Sequence, residues 1–109
     1  MESIQFEFRS ADLQPRCAAK IAKLADWLKA DSQVALMLDS HEYDAEANDF
    51  VPGLGLRRAT AVRGALIAAG IAPERLAIGS LGGGPQLCGE ATDACRALNR
   101  RVEVFAARQ

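Results

Sequence analysis

Apolar and polar residues alternate with a period of two near both ends of this chain, and recur at helical spacing in two stretches between them. Ile4, Phe6 and Phe8 alternate with Gln5, Glu7 and Arg9, which predicts an opening strand with one buried face. Ser10-Ala11-Asp12-Leu13 ends it, and Pro15 suits a first helical turn. Cys17, Ile21, Leu24, Ala25 and Leu28 then fall on one helical stripe, with Lys20, Lys23 and Lys29 on other faces. On that stripe Cys17 reads as a packing residue rather than a reactive thiol. Val34-Ala35-Leu36-Met37-Leu38 is a continuous apolar run, the pattern of a central strand covered on both faces.

The segment 39–53 turns polar and loses any lasting period, as expected of a loop over the sheet edge, where sites tend to be carried. Helical spacing returns from Leu54, with Ala59, Val62, Leu66 and Ala69 on one stripe and Gly70 placed to cap the end. A turn through Pro73 leads to a third strand over 77–81, and Gly82-Gly83-Gly84-Pro85 must be loop. Val102, Val104 and Ala106 share one face of a last strand, and Arg101, Glu103 and Phe105 the other. The order strand, helix, strand, helix, strand, loop, strand (βαβαββ) predicts an α+β two-layer sandwich: a mixed four-stranded sheet with two main helices on one face.

A length of 109 residues, half of them hydrophobic, fits a single domain over 1–109. The net charge of -1 gives no bulk attraction to nucleic acid or anionic lipid, so anion binding must come from local clusters. The arginines are clustered: four lie between Arg57 and Arg75 and four between Arg96 and Arg108. Arg57 and Arg58 are expected in the first turn of the second helix, where a cation gains most by sharing an anionic ligand with the helix's free amides. A solvated arginine pair is the alternative. No apolar window reaches the ~18 residues of a membrane span, and the amino end lacks the pattern of a signal peptide.

The glycines lack GxGxxG spacing and no P-loop lysine follows them, so nucleotide binding is not expected. Cys88 and Cys95 bracket six residues in a glycine-rich region, a spacing that suits a loop-closing disulfide, with two free thiols as the alternative. It does not suit zinc, because there is no CxxC pair and His41 is the single histidine. No Ser/His/Asp set or Cys/His pair is visible, and the residues imply no enzyme, no cofactor and no metal.

Four stretches together carry a resemblance. Ile4-Gln5-Phe6-Glu7-Phe8 is similar to a V-x-F-x-F opening strand, and 59–70 to an RAxxVxxxLxxxG helix. Ala72-Pro73-Glu74-Arg75-Leu76 is similar to a (D/A)-P-x-R-(L/I) turn, and Arg96-Ala97-Leu98-Asn99-Arg100-Arg101-Val102-Glu103 matches RAxNRRVE throughout. These are motifs of the OmpA-like C-terminal domain, the peptidoglycan-binding module of outer-membrane proteins, peptidoglycan-associated lipoproteins and flagellar stator subunits. Many members carry a cysteine pair just before the last motif, so the resemblance implies a Cys88–Cys95 disulfide and a periplasmic location.

In that family a GHTD segment supplies an aspartate for the ammonium of diaminopimelate, and an N-x-x-L-S-x-x-R-A segment supplies an arginine for its carboxylate. Aligned without gaps, GHTD falls on Ser40-His41-Glu42-Tyr43, so His41 is kept and Tyr43 replaces the acid. Glu42 or Asp44 can replace it after a one-residue change of loop register. Arg58 is kept, while the asparagine has become Val51, the capping serine Gly55, and the aromatic of a GYG segment Leu81. The resemblance thus implies a ligand set of Arg58, Arg100, His41, Tyr43 and Asp44, with its carboxylate half intact and its ammonium half lost or shifted. It implies a non-enzymatic cell-envelope module for the peptidoglycan stem peptide. Attachment to the outer membrane or envelope would come through a part of a longer protein not present here, and other envelope proteins are further partners. The alternative is a degenerate member of the fold that no longer binds peptidoglycan and serves protein–protein contacts.

Overall fold

The computed structural model describes residues 2–6, 10–40, 53–80 and 101–108. Strand β1 (Glu2–Gln5) is followed by a 3-10 turn (Pro15–Cys17), helix α1 (Ala18–Ala30) and strand β2 (Val34–Ser40). Helix α2 (Leu54–Ala68), a second 3-10 turn (Pro73–Arg75), β3 (Leu76–Ser80) and β4 (Arg101–Arg108) complete it. The sheet order is β1-β4-β2-β3, with β2 and β3 parallel and β4 antiparallel to both β1 and β2. The expected α+β sandwich with a mixed four-stranded sheet is therefore the fold.

The core lies between the helices and one face of the sheet. Ile21, Leu24 and Leu28 of α1 and Val62 and Leu66 of α2 pack with Ile4, Leu36, Leu38, Val102 and Val104 of the strands. Each large aliphatic side chain so buried contributes roughly 1.5–3 kcal/mol. Cys17 belongs to this core, and its Sγ lies 3.8 Å from the carbonyl of Gln5. Lys20 Nζ donates to the carbonyl of Ser3 at 2.9 Å. Together these two side chains cover backbone acceptors of β1, an edge strand, which blunts it against pairing with another chain.

Two arginines from the sequence motifs act as struts. Arg75 Nε donates to the Val34 carbonyl at 3.1 Å, and its Nη2 to the carbonyls of Asp31 (2.8 Å) and Val34 (2.9 Å). It thereby ties the turn before β3 to the end of α1 and the start of β2. Arg63 on α2 donates to the carbonyls of Leu76 (3.0 Å) and Pro73 (3.1 Å), holding the same turn from the other side. Gly70 caps α2 as expected: with φ at 102° it lets its own amide reach Ile67 and that of Ile71 reach Leu66, the paired bonds of a Schellman motif.

Several boundaries differ from the sequence reading. The first strand was expected over 4–9; it spans Glu2–Gln5, because its ladder with β4 runs from Glu2↔Val104 to Gln5↔Arg101 and Arg101 is where β4 begins. β2 was expected to be covered on both faces, yet Met37 is 41% exposed, since both helices lie on the other side. β2 also runs on through Asp39 and Ser40, placed in a loop by their polarity alone, because both find ladder partners in β3 and β4.

Candidate functional site

The topology gathers polar and cationic residues at one end of the sheet. β2 and β3 are parallel and joined through α2, so α2 begins at the end where β2 stops. β4 runs against them and starts at that end, which the pairs Ser40↔Val102, Ser40↔Ser80 and Gln5↔Arg101 fix. Ser40, buried, donates its hydroxyl to the Gly79 carbonyl at 3.4 Å and closes the floor there.

Arg58 is set at this end. It was expected in the first turn of α2 beside free amides. The helix begins at Leu54, and the Arg57 amide already donates to the Gly53 carbonyl at 3.0 Å, so Arg58 stands in the second turn. Its guanidinium is held another way: Nε donates to the Ser10 carbonyl at 2.8 Å, and Cζ lies 5.4 Å from the centroid of the Phe6 ring. Arg58 is only 5% exposed and Phe6 1%. A carbonyl at one edge and an aromatic face against the plane fix the orientation of the guanidinium, which is the preorganisation that a planar cation needs to meet a carboxylate.

Arg101, which the sequence did not single out, is 4% exposed. Its Nε and Nη2 meet Glu103 Oε1 at 2.8 and 2.6 Å, while Nη1 is buried without a partner. The adjacent arginines at the start of β4 were the available signal, since the alternation assigned Arg101 to the face away from the helices. His41, Tyr43, Asp44, Arg100, Cys88 and Cys95 lie outside the described residues. Among the described residues no three His, Cys, Asp or Glu side chains converge as metal ligands, and no helix is long and apolar enough to cross a membrane.

Known structures show the same two-layer arrangement. The peptidoglycan-associated lipoprotein of Burkholderia pseudomallei matches at TM-score 0.88 and 26% identity, over 98% of this chain and 91% of that one. The C-terminal domain of Helicobacter pylori MotB shares the fold at TM-score 0.85 and 22% identity, over 100% of this chain and 86% of that one. The fold is thus that of OmpA-like domains. The chain belongs to the OmpA family, whose sequence model matches residues 5–100.

Its relatives by sequence include the peptidoglycan-associated lipoprotein of Pseudomonas aeruginosa, 31% identical over 99 residues that make up 91% of this chain and 58% of the relative. Outer membrane porin F of Pseudomonas fluorescens is 28% identical over 100 residues, 92% of this chain and 31% of the relative. The chain therefore spans about a third to three fifths of the length of these two curated relatives.

Proposed function

We propose that this chain is a non-enzymatic cell-envelope module that binds peptidoglycan through the diaminopimelate of its stem peptide, at the loop end of the sheet. The observation that carries the reading is Arg58, buried and oriented by the Ser10 carbonyl and the Phe6 ring. A guanidinium set in this way meets a carboxylate with little further loss of side-chain freedom. Family membership and two relatives named for peptidoglycan association support the ligand class. The setting proposed is the periplasm, with attachment to the outer membrane through polypeptide outside this sequence.

Co-sedimentation with purified sacculi tests it. Native protein should sediment, and Arg58→Lys, which keeps the charge but loses the planar fork, should bind roughly five- to tenfold more weakly. An Arg58→Lys protein with unchanged melting and undiminished binding overturns the assignment of Arg58. Absence of native binding would leave protein–protein contact as the function. The exposed Met37 and Phe105, paired across β2 and β4, favour that second reading.

Cys88 and Cys95 are proposed to be bonded, which would contribute roughly 2–3 kcal/mol by restricting the unfolded chain. Thiol titration of denatured, unreduced protein should then find one reactive group, Cys17. Three groups would refute the bond.

A further inference from the structure

All three lysines of the chain lie on α1, and two of them share a stripe with its single tryptophan. Lys20, Lys23 and Trp27 follow at spacings of three and four, which stacks them on one side of the helix, and Arg16 is exposed about one turn before them. Both lysines are exposed, and Trp27 is 45% exposed. Lys20 gives one hydrogen to the Ser3 carbonyl and meets no acid, and Lys23 forms no hydrogen bond or ion pair among the described residues. Asp26, the one acid of α1, stands about 100° round the helix from Trp27 and forms no ion pair with either lysine. A lone exposed tryptophan needs no explanation, but one that continues a row of cations is a surface of definite chemistry.

The place of the stripe in the fold points the same way. α1 leads back from the end where β1 stops to the end where β2 starts, so Trp27 lies toward the end opposite Arg58. The Asp31 amide donates to the Trp27 carbonyl at 3.0 Å, and the Asp31 carboxylate bonds Arg108, the last residue of β4. The chain therefore enters β1 and leaves β4 on the Trp27 side, the side from which the attachment proposed above would run.

We propose that this stripe of α1 rests on the surface of an anionic phospholipid bilayer. The ammonium groups of Lys20 and Lys23 meet lipid phosphates, while their methylenes and the indole ring settle among the headgroups and the indole N–H finds an acceptor there. A convex row on one helix fits a flat surface that offers phosphates at every point, whereas an acidic protein would need its own acids in register with the row. Each lysine at such a surface strengthens binding about fivefold, and the two together about thirtyfold. Weak on its own, the contact orients a domain already tethered, with Arg58 turned away from the membrane.

Because Trp27 is the only tryptophan, its fluorescence reports this face alone. At several millimolar lipid, vesicles of phosphatidylcholine with about one third phosphatidylglycerol should move its emission to shorter wavelength, and salt at about 1 M should reverse the shift. Vesicles of phosphatidylcholine alone should leave it in place. Lys23→Gln should melt like native protein, sediment with sacculi as native protein does, and need about fivefold more lipid for half the shift. No shift with anionic vesicles, an equal shift with neutral ones, or a shift that Lys23→Gln leaves unchanged overturns the proposal. A shift with polyglutamate and none with anionic vesicles overturns it too, and assigns the face to an acidic protein. None of these outcomes bears on the peptidoglycan reading, which sacculus binding tests separately.

Discussion

Replacing Arg75 with alanine is expected to lower the melting temperature by roughly 10–20 °C, the largest stability effect foreseen for a polar residue of this domain. The guanidinium donates to two backbone carbonyls, those of Asp31 and Val34, through three contacts between 2.8 and 3.1 Å. Hydrogen bonds from a charged donor contribute about 1.5–3 kcal/mol each, and their loss leaves partly buried acceptors bare. Because the three share one side chain, their loss is not additive, and a total of about 2–3 kcal/mol is expected. Arg75→Lys should recover only part of it, since an ammonium cannot match the fork. Glu74→Ala, an exposed neighbour, is the control and should shift the midpoint little. A calorimetric shift of Arg75→Ala no larger than that of the control would show that water satisfies these carbonyls equally well.

The change Tyr43→Asp is expected to strengthen binding to diaminopimelate-type sacculi by about ten- to a hundredfold. That is the span of the 1.5–3 kcal/mol that a charge-assisted hydrogen bond contributes. A phenol stays neutral at pH 7 and offers an ammonium no counter-charge. Adding Val51→Asn should increase the gain by restoring a polar neighbour. Strong binding by native protein that Tyr43→Asp leaves unchanged would mean that an acid already present, Glu42 or Asp44, does the whole task.

Much of the fold was legible because it rests on periodicity. The stripe Ile21, Leu24, Ala25 and Leu28 and the alternation at Val102 and Val104 each state which face is buried, and each is buried. Pairing was less legible. The run from Val34 to Leu38 reads as buried on both sides, yet only the arrangement of the helices decides that Met37 faces outward. Asp39 and Ser40 looked like loop because polarity ends the hydrophobic run, while their strand character comes from β3 and β4, residues remote in sequence.

The site was legible only in part, through motif. Arg58 could be picked out, but not what holds it, since the Ser10 carbonyl is a backbone group with no sequence signature. The two arginines of the turn and helix motifs carry no mark that separates a strut from a ligand, and only their distances to Asp31, Val34, Pro73 and Leu76 make Arg75 and Arg63 structural.

The direction of the strands has a mechanical meaning. β1 runs from Glu2, opposite Val104, toward the loop end, and β4 runs away from that end to Arg108, opposite Val34, so the chain enters β1 and leaves β4 along the strand axes on the side away from Arg101. A load between a ligand held at the loop end and polypeptide pulled from either terminus therefore acts along the strand axes. The interstrand hydrogen bonds lie across that axis. Such a force shears the β1–β4 and β2–β4 ladders as whole units and does not peel them one bond at a time. Tension in this direction loads the ladder hydrogen bonds together, whereas the same sheet pulled sideways would unzip.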